Sequence, residues 1–134
     1  MYLENYLEQH EEVKKEMDAI KALLAFNDIA EHAKEIASHM NTLAGKISMH
    51  LLMEDKHLYP NLIERGNDEV KRMAERFQKE MGNLAEVFVG YKERYNTSKK
   101  IIQNINSIKS DTNEVFSKIE KRIIKEENEL YKHI

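Results

Sequence analysis

Apolar residues recur three and four positions apart along almost the whole chain, the spacing of amphipathic helices, and no stretch alternates with the period of two that a half-buried strand requires. Residues 3–26 carry the first stripe, with Leu3, Tyr6, Leu7, Val13, Met17, Ile20 and Leu24 on one face. Asn27 and Asp28 then supply a break and a cap. A second stripe runs from Ile29 through Ile36, Leu43 and Leu51 to Leu58 and predicts a helix over about 29–64, with Pro60 near its end. Gly66-Asn67-Asp68 reads as a turn followed by an N-cap. Val70, Phe77, Leu84 and Phe88 mark a third helix over about 69–95, which stops at Asn96-Thr97-Ser98. A short helical stretch over 101–108 follows. Ser110 or Asp111 then caps a last helix that reaches about residue 132.

Four amphipathic helices joined by short connections predict an all-α, up-down-up-down four-helix bundle, packed at roughly 20°, with a short extra helix before the last one. At 134 residues the chain is the size of one domain, 1–134, and its 4 Gly and 1 Pro leave little material for turns. With 0 Cys, a disulfide framework and thiolate ligation of metal, haem or iron–sulfur clusters are excluded. The net charge of -3, with both signs interspersed, argues against a nucleic-acid partner. No apolar run approaches the ~20 residues of a membrane span, and the acidic N-terminal stretch does not resemble a signal peptide. A cytoplasmic protein is expected.

The informative residues are polar ones that fall on the apolar stripes. His10 lies in the middle of the first stripe. Glu54 is near the centre of the second, with His50 one turn earlier and roughly 40° to one side. Glu80 sits at the edge of the third stripe, and Glu126 falls inside the fourth. Glutamates are almost never buried unless paired, because an uncompensated buried carboxylate costs several kcal/mol. Two arrangements would offset that cost. One is a metal ion held by inward-facing Glu and His; the other is a network of buried ion pairs, for which Arg76 and Arg122 are the available cations. Other histidines, His32, His39 and His57, lie along the same side of the second helix as His50 and read as a polar flank. Tyr59 and Tyr131 read as amphipathic plugs at the bundle ends, hydroxyls in water.

The segment His50-Leu-Leu-Met-Glu54-Asp55-Lys-His-Leu58-Tyr59-Pro60 resembles the His-x3-Glu-Glu/Asp-x2-Leu-Phe/Tyr-Pro signature of hemerythrin-like (HHE cation-binding) domains. Arg122-Ile-Ile-Lys-Glu126-Glu-Asn-Glu-Leu130-Tyr131 resembles the matching signature of the last helix, with Arg122 where the initial His is usual and the Pro missing. His10 matches the first ligand position. The resemblance implies a bundle holding two non-haem irons bridged by two carboxylates. It assigns His10 and His50 to one iron and Glu54 and Glu126 to the bridges. The three histidines expected for the other iron are replaced by Arg76, Glu80 and Arg122, and arginine cannot ligate a cation. What remains is a metal set of His10, His50, Glu54 and Glu126, with Glu80 as a further oxygen ligand. This set implies one non-haem iron rather than two, with Mn or Zn equally suited to the donors. The metal-free alternative has the arginines replacing the ion. The expected role is sensing, storage or buffering of iron, oxygen or nitric oxide chemistry, with a small diatomic ligand and a second copy of the chain as the remaining candidate partners. Turnover of a small oxidant such as peroxide, or a metal-free scaffold, are the alternatives.

Overall fold

A computed structural model describes residues 2–134 and shows the all-α bundle. Helix α1 spans Tyr2–Leu24, and a 3-10 turn over Ile29–His32 leads into α2, Ala33–Met53. A π turn over Glu54–Leu58 passes without a break into α3, Tyr59–Arg65. Helix α4 is Asp68–Tyr95, α5 is Ser98–Gln103 and α6 is Ile108–Lys125. A second π turn, Glu126–Leu130, and a 3-10 turn, Tyr131–His133, complete the described chain. Among the described residues there is no strand, and no helix is long and apolar enough to cross a membrane. Helix α1 packs on α2, α3 on α4, α4 on α6, and α6 returns to α1, closing the four-helix ring.

The breaks form where short polar side chains can accept from helix N–H groups. Asp28 accepts from Glu31 N, Asn67 from Val70 N at 2.9 Å, and Thr97 from Lys100 N at 3.2 Å. Gly66 is required at its turn, since a Cβ there would lie 2.5 Å from the Leu62 carbonyl oxygen. Two boundaries differ from the sequence expectation. The extra helix is Ser98–Gln103, not 101–108, because Thr97 starts it and Asn104 ends it by bonding back to the Lys100 carbonyl. The last helix begins a turn earlier than Ser110 or Asp111. Ile108 is already fully buried, and the Asp111 carboxylate serves Tyr95 and Arg94 instead of a cap.

The apolar interior falls into two clusters. One holds Met17, Ile20, Ile36, Met40, Leu43 and Phe116, all at most 1% exposed, and each such side chain contributes about 1.5–3 kcal/mol by leaving water. The other gathers Tyr6, Tyr59, Phe77, Leu130 and Tyr131. Along α1, α2, α6 and the π turns that follow α2 and α6, the buried polar residues between these clusters are His10, His50, Glu54, Arg122 and Glu126. The bundle therefore carries a buried polar layer between two apolar ones.

Candidate metal centre

All four of the inward-facing residues expected from the stripes are buried: His10 and Glu126 are 1% exposed, His50 5% and Glu54 0%. His10 Nε2 and His50 Nε2 face each other at 3.2 Å. Glu126 Oε1 lies 2.9 Å from His10 Nε2 and 3.6 Å from His50 Nε2, and Glu54 Oε2 lies 3.3 Å from His50 Nε2. One ligand atom each from His10, His50 and Glu126 fall within 4.8 Å of one another.

The outer nitrogens explain why those atoms converge. His10 Nδ1 is 2.8 Å from the Glu127 carboxylate, and His50 Nδ1 is 2.7 Å from the Gln9 side-chain oxygen. Both partners accept, so both Nδ1 atoms carry hydrogen and both Nε2 lone pairs turn inward. This is the tautomer a metal needs, and holding the outer nitrogen in this way orients imidazole ligands generally. Two facing lone pairs and a carboxylate oxygen repel unless a cation joins them. Glu54 Oε1 is also buried and has no hydrogen-bond partner among the described residues, an arrangement costing about 1–3 kcal/mol. The donor set of two imidazoles and two carboxylates, one with an unpartnered oxygen, fits a transition-metal ion.

Without an ion, protons take up the repulsion. Burial pushes His50 down, but the Glu126 and Glu54 carboxylates outweigh it and raise His50 from 6.5 to about 9. Burial and the Glu126 charge push Glu54 up. Burial acts on Glu126 in the same sense, yet hydrogen bonds from His10 and His50 and the Arg122 charge hold it well below the usual carboxylate range.

The Tyr131 hydroxyl lies inside the cluster, not in water at a bundle end as expected from the sequence. It donates to Glu54 Oε2 at 2.9 Å and lies 3.1 Å from His10 Nε2, 3.3 Å from Glu126 Oε1 and 3.4 Å from His50 Nε2. Tyr59, expected as the matching plug, is equally buried, and its hydroxyl accepts from Arg122 at 3.3 Å. The π turns cause both departures. Five residues along an α-helix is about 140° around the axis. In these turns the backbone N–H of Tyr59 bonds the Glu54 carbonyl and that of Tyr131 bonds the Glu126 carbonyl, which brings each tyrosine back toward its glutamate.

Arg122 borders the cluster. Its Nε donates to Glu126 Oε2 at 3.2 Å, so Glu126 lies between the guanidinium and the imidazoles. Arg122 also donates to the Phe77 carbonyl at 2.6 Å and to Glu80 Oε2 at 3.3 Å, and its charge stacks over the Phe77 ring at 4.5 Å. Glu80, expected as a further ligand, is instead 42% exposed, and its Oε2 pairs with Arg122 and Lys125. Arg76, the other cation expected inside, is exposed because α4 turns it away from Phe77 toward solvent. Of the flanking histidines, His39 pairs with Glu16 at 2.6 Å, His32 stacks on Phe26 at 4.2 Å, and His57 is exposed beside a surface groove. A cavity of about 30 Å³ adjoins the cluster, with His10, His50, Arg122 and Glu126 among its lining and Val13, Ile47, Phe88 and Ile119 as apolar wall.

The hemerythrin HHE cation-binding domain model matches residues 1–134. No curated protein and no solved structure matches the chain. A family match over the whole chain agrees with the converged histidines and glutamates: the chain belongs to the hemerythrin HHE cation-binding domain family.

Proposed function

We propose that the protein binds one non-haem iron ion through His10, His50, Glu126 and Glu54, with the Arg122 guanidinium in place of a second cation. The single observation carrying this reading is the tethering of both Nδ1 atoms, which leaves two Nε2 lone pairs 3.2 Å apart and aimed at Glu126 Oε1. Glu126 then serves two cations at once, the ion through Oε1 and Arg122 through Oε2. Bound there, iron would supply Lewis acidity and one-electron chemistry. The residues around it orient the donors, exclude water from Glu54 and Glu126, and keep Tyr131 as a hydrogen-bond donor against the ligand atoms. The adjoining cavity exceeds the ~10–15 Å³ one water needs, which supports access by a small diatomic molecule and a role in sensing or buffering. The metal-free reading draws on the same Arg122 pairs, since a guanidinium and a protonated His50 already balance much of the buried negative charge.

Thermal melting separates the two. Ferrous iron added without air to chelator-treated protein should raise Tm. Identical melting curves before and after chelation and after iron addition would favour the metal-free bundle.

A further inference from the structure

Glu54 and Glu126 bound the candidate ion position, Arg122 reaches it through Glu126, and Glu127, 31% exposed, reaches it through His10. Glu54 comes from the π turn after α2, Glu126 and Glu127 from the π turn after α6, and Arg122 from α6 itself. Glu127 belongs with them because its carboxylate holds His10 Nδ1 at 2.8 Å. Three carboxylates against one guanidinium leave two negative charges. Just outside, Glu80 and Lys125 pair at 3.1 Å and cancel. A dication neutralises the remaining charge, whereas a trication leaves a surplus positive charge in surroundings where burial makes unbalanced charge costly. Replacing Arg122 with a neutral side chain would change that balance to three negative charges, which suits a trication.

We infer that Arg122 is the residue that sets the valence of the bound metal, holding the site to divalent ions by charge rather than by ligation. The inference rests on the single-ion reading above. Arg122 is fixed for this role on every side. It is 7% exposed, bonded to Glu126 Oε2, the Phe77 carbonyl and the Tyr59 hydroxyl, and cannot lose its charge. The third charge of a trication, one carboxylate away from a guanidinium, lowers relative affinity by about a hundredfold at an effective dielectric of ~20.

Zn2+ and Ga3+ are redox-inert and report the two valences directly. Competition titrations against citrate give the Zn2+ to Ga3+ affinity ratio for the wild type, Arg122→Gln and Glu80→Gln. Arg122→Gln should move the ratio toward Ga3+ by about tenfold or more. Glu80→Gln removes the half-exposed negative partner of Arg122 and should move the ratio the other way, by about threefold given solvent screening. A wild type that binds Zn2+ while folded Arg122→Gln keeps its ratio overturns the inference. So does a Glu80→Gln ratio that is unchanged or moves toward Ga3+, and that arm decides alone if Arg122→Gln does not fold. A wild type that takes up no Zn2+ overturns the single-ion reading itself, so the two failures are told apart by zinc stoichiometry.

Discussion

Arg122 directs its guanidinium into the bundle, where Glu126, Tyr59 and the Phe77 carbonyl receive it. Removing it leaves the buried Glu54 and Glu126 carboxylates one positive charge short, so Arg122→Ala should destabilise the metal-free protein by about 3–5 kcal/mol. Arg94 provides the contrast: its pair with Asp111 is 2.9 Å long but the side chain is 52% exposed, and Arg94→Ala should cost about 1 kcal/mol or less. Urea unfolding of both variants tests this, and equal losses would contradict it. Titration at His50 gives a second expectation. Its pKa is raised in the folded state, so its contribution is fully present below 6.5 and is lost as pH rises through about 9. Glu54, raised as well, contributes fully below 4.5 and loses its share as pH rises above that, while Glu126, lowered, contributes above 4.5 and loses its share as pH falls. The metal-free protein should be most stable near 4.5 and lose on the order of 3 kcal/mol through His50 between pH 6.5 and 9. On the proposed single-ion reading metal takes the proton's place on His50, so saturation with metal should flatten the alkaline decline. A profile already flat over that range without metal would contradict the His50 assignment.

At the scale of elements, α1, α2, α4 and α6 follow from apolar spacing, and His10, His50, Glu54 and Glu126 were legible because they interrupt it. Less could be read where the helix geometry itself changes. The π turns at Glu54–Leu58 and Glu126–Leu130 leave no mark in a pattern read at 3.6 residues per turn, a spacing that turns Tyr131 away from the Glu54 carboxylate it serves. Gln9 and Glu127 escaped for another reason. Each is next in sequence to a core residue, about 100° around the helix, where a polar side chain ordinarily faces water. Their role appears only when the partner helix is in place, since each reaches a histidine on a different element. π turns concentrate at functional sites. Deleting Lys56 should convert the first one to a plain α-helix, rotating Tyr59 and α3 relative to Glu54. Such a variant should keep most of its helical circular dichroism but bind metal at least tenfold more weakly, and unchanged affinity would show that the turn does not position the site.

Across the whole molecule, the buried polar layer divides an apolar interior that would otherwise run continuously through the bundle. Burying polar groups there costs stability unless an ion or an ion pair joins them, and this chain has the parts for both: an imidazole–carboxylate set on one side and a guanidinium on the other. On the proposed reading one ion sits with the first half, and Arg122 stands in the second where another cation would otherwise be needed. Elemental analysis after anaerobic loading with ferrous iron and gel filtration, run on the wild type and on His50→Ala, tests it most directly. About one iron per chain in the wild type and close to none in a folded His50→Ala is the predicted result; no iron in the wild type, two per chain, or equal content in both proteins would contradict it.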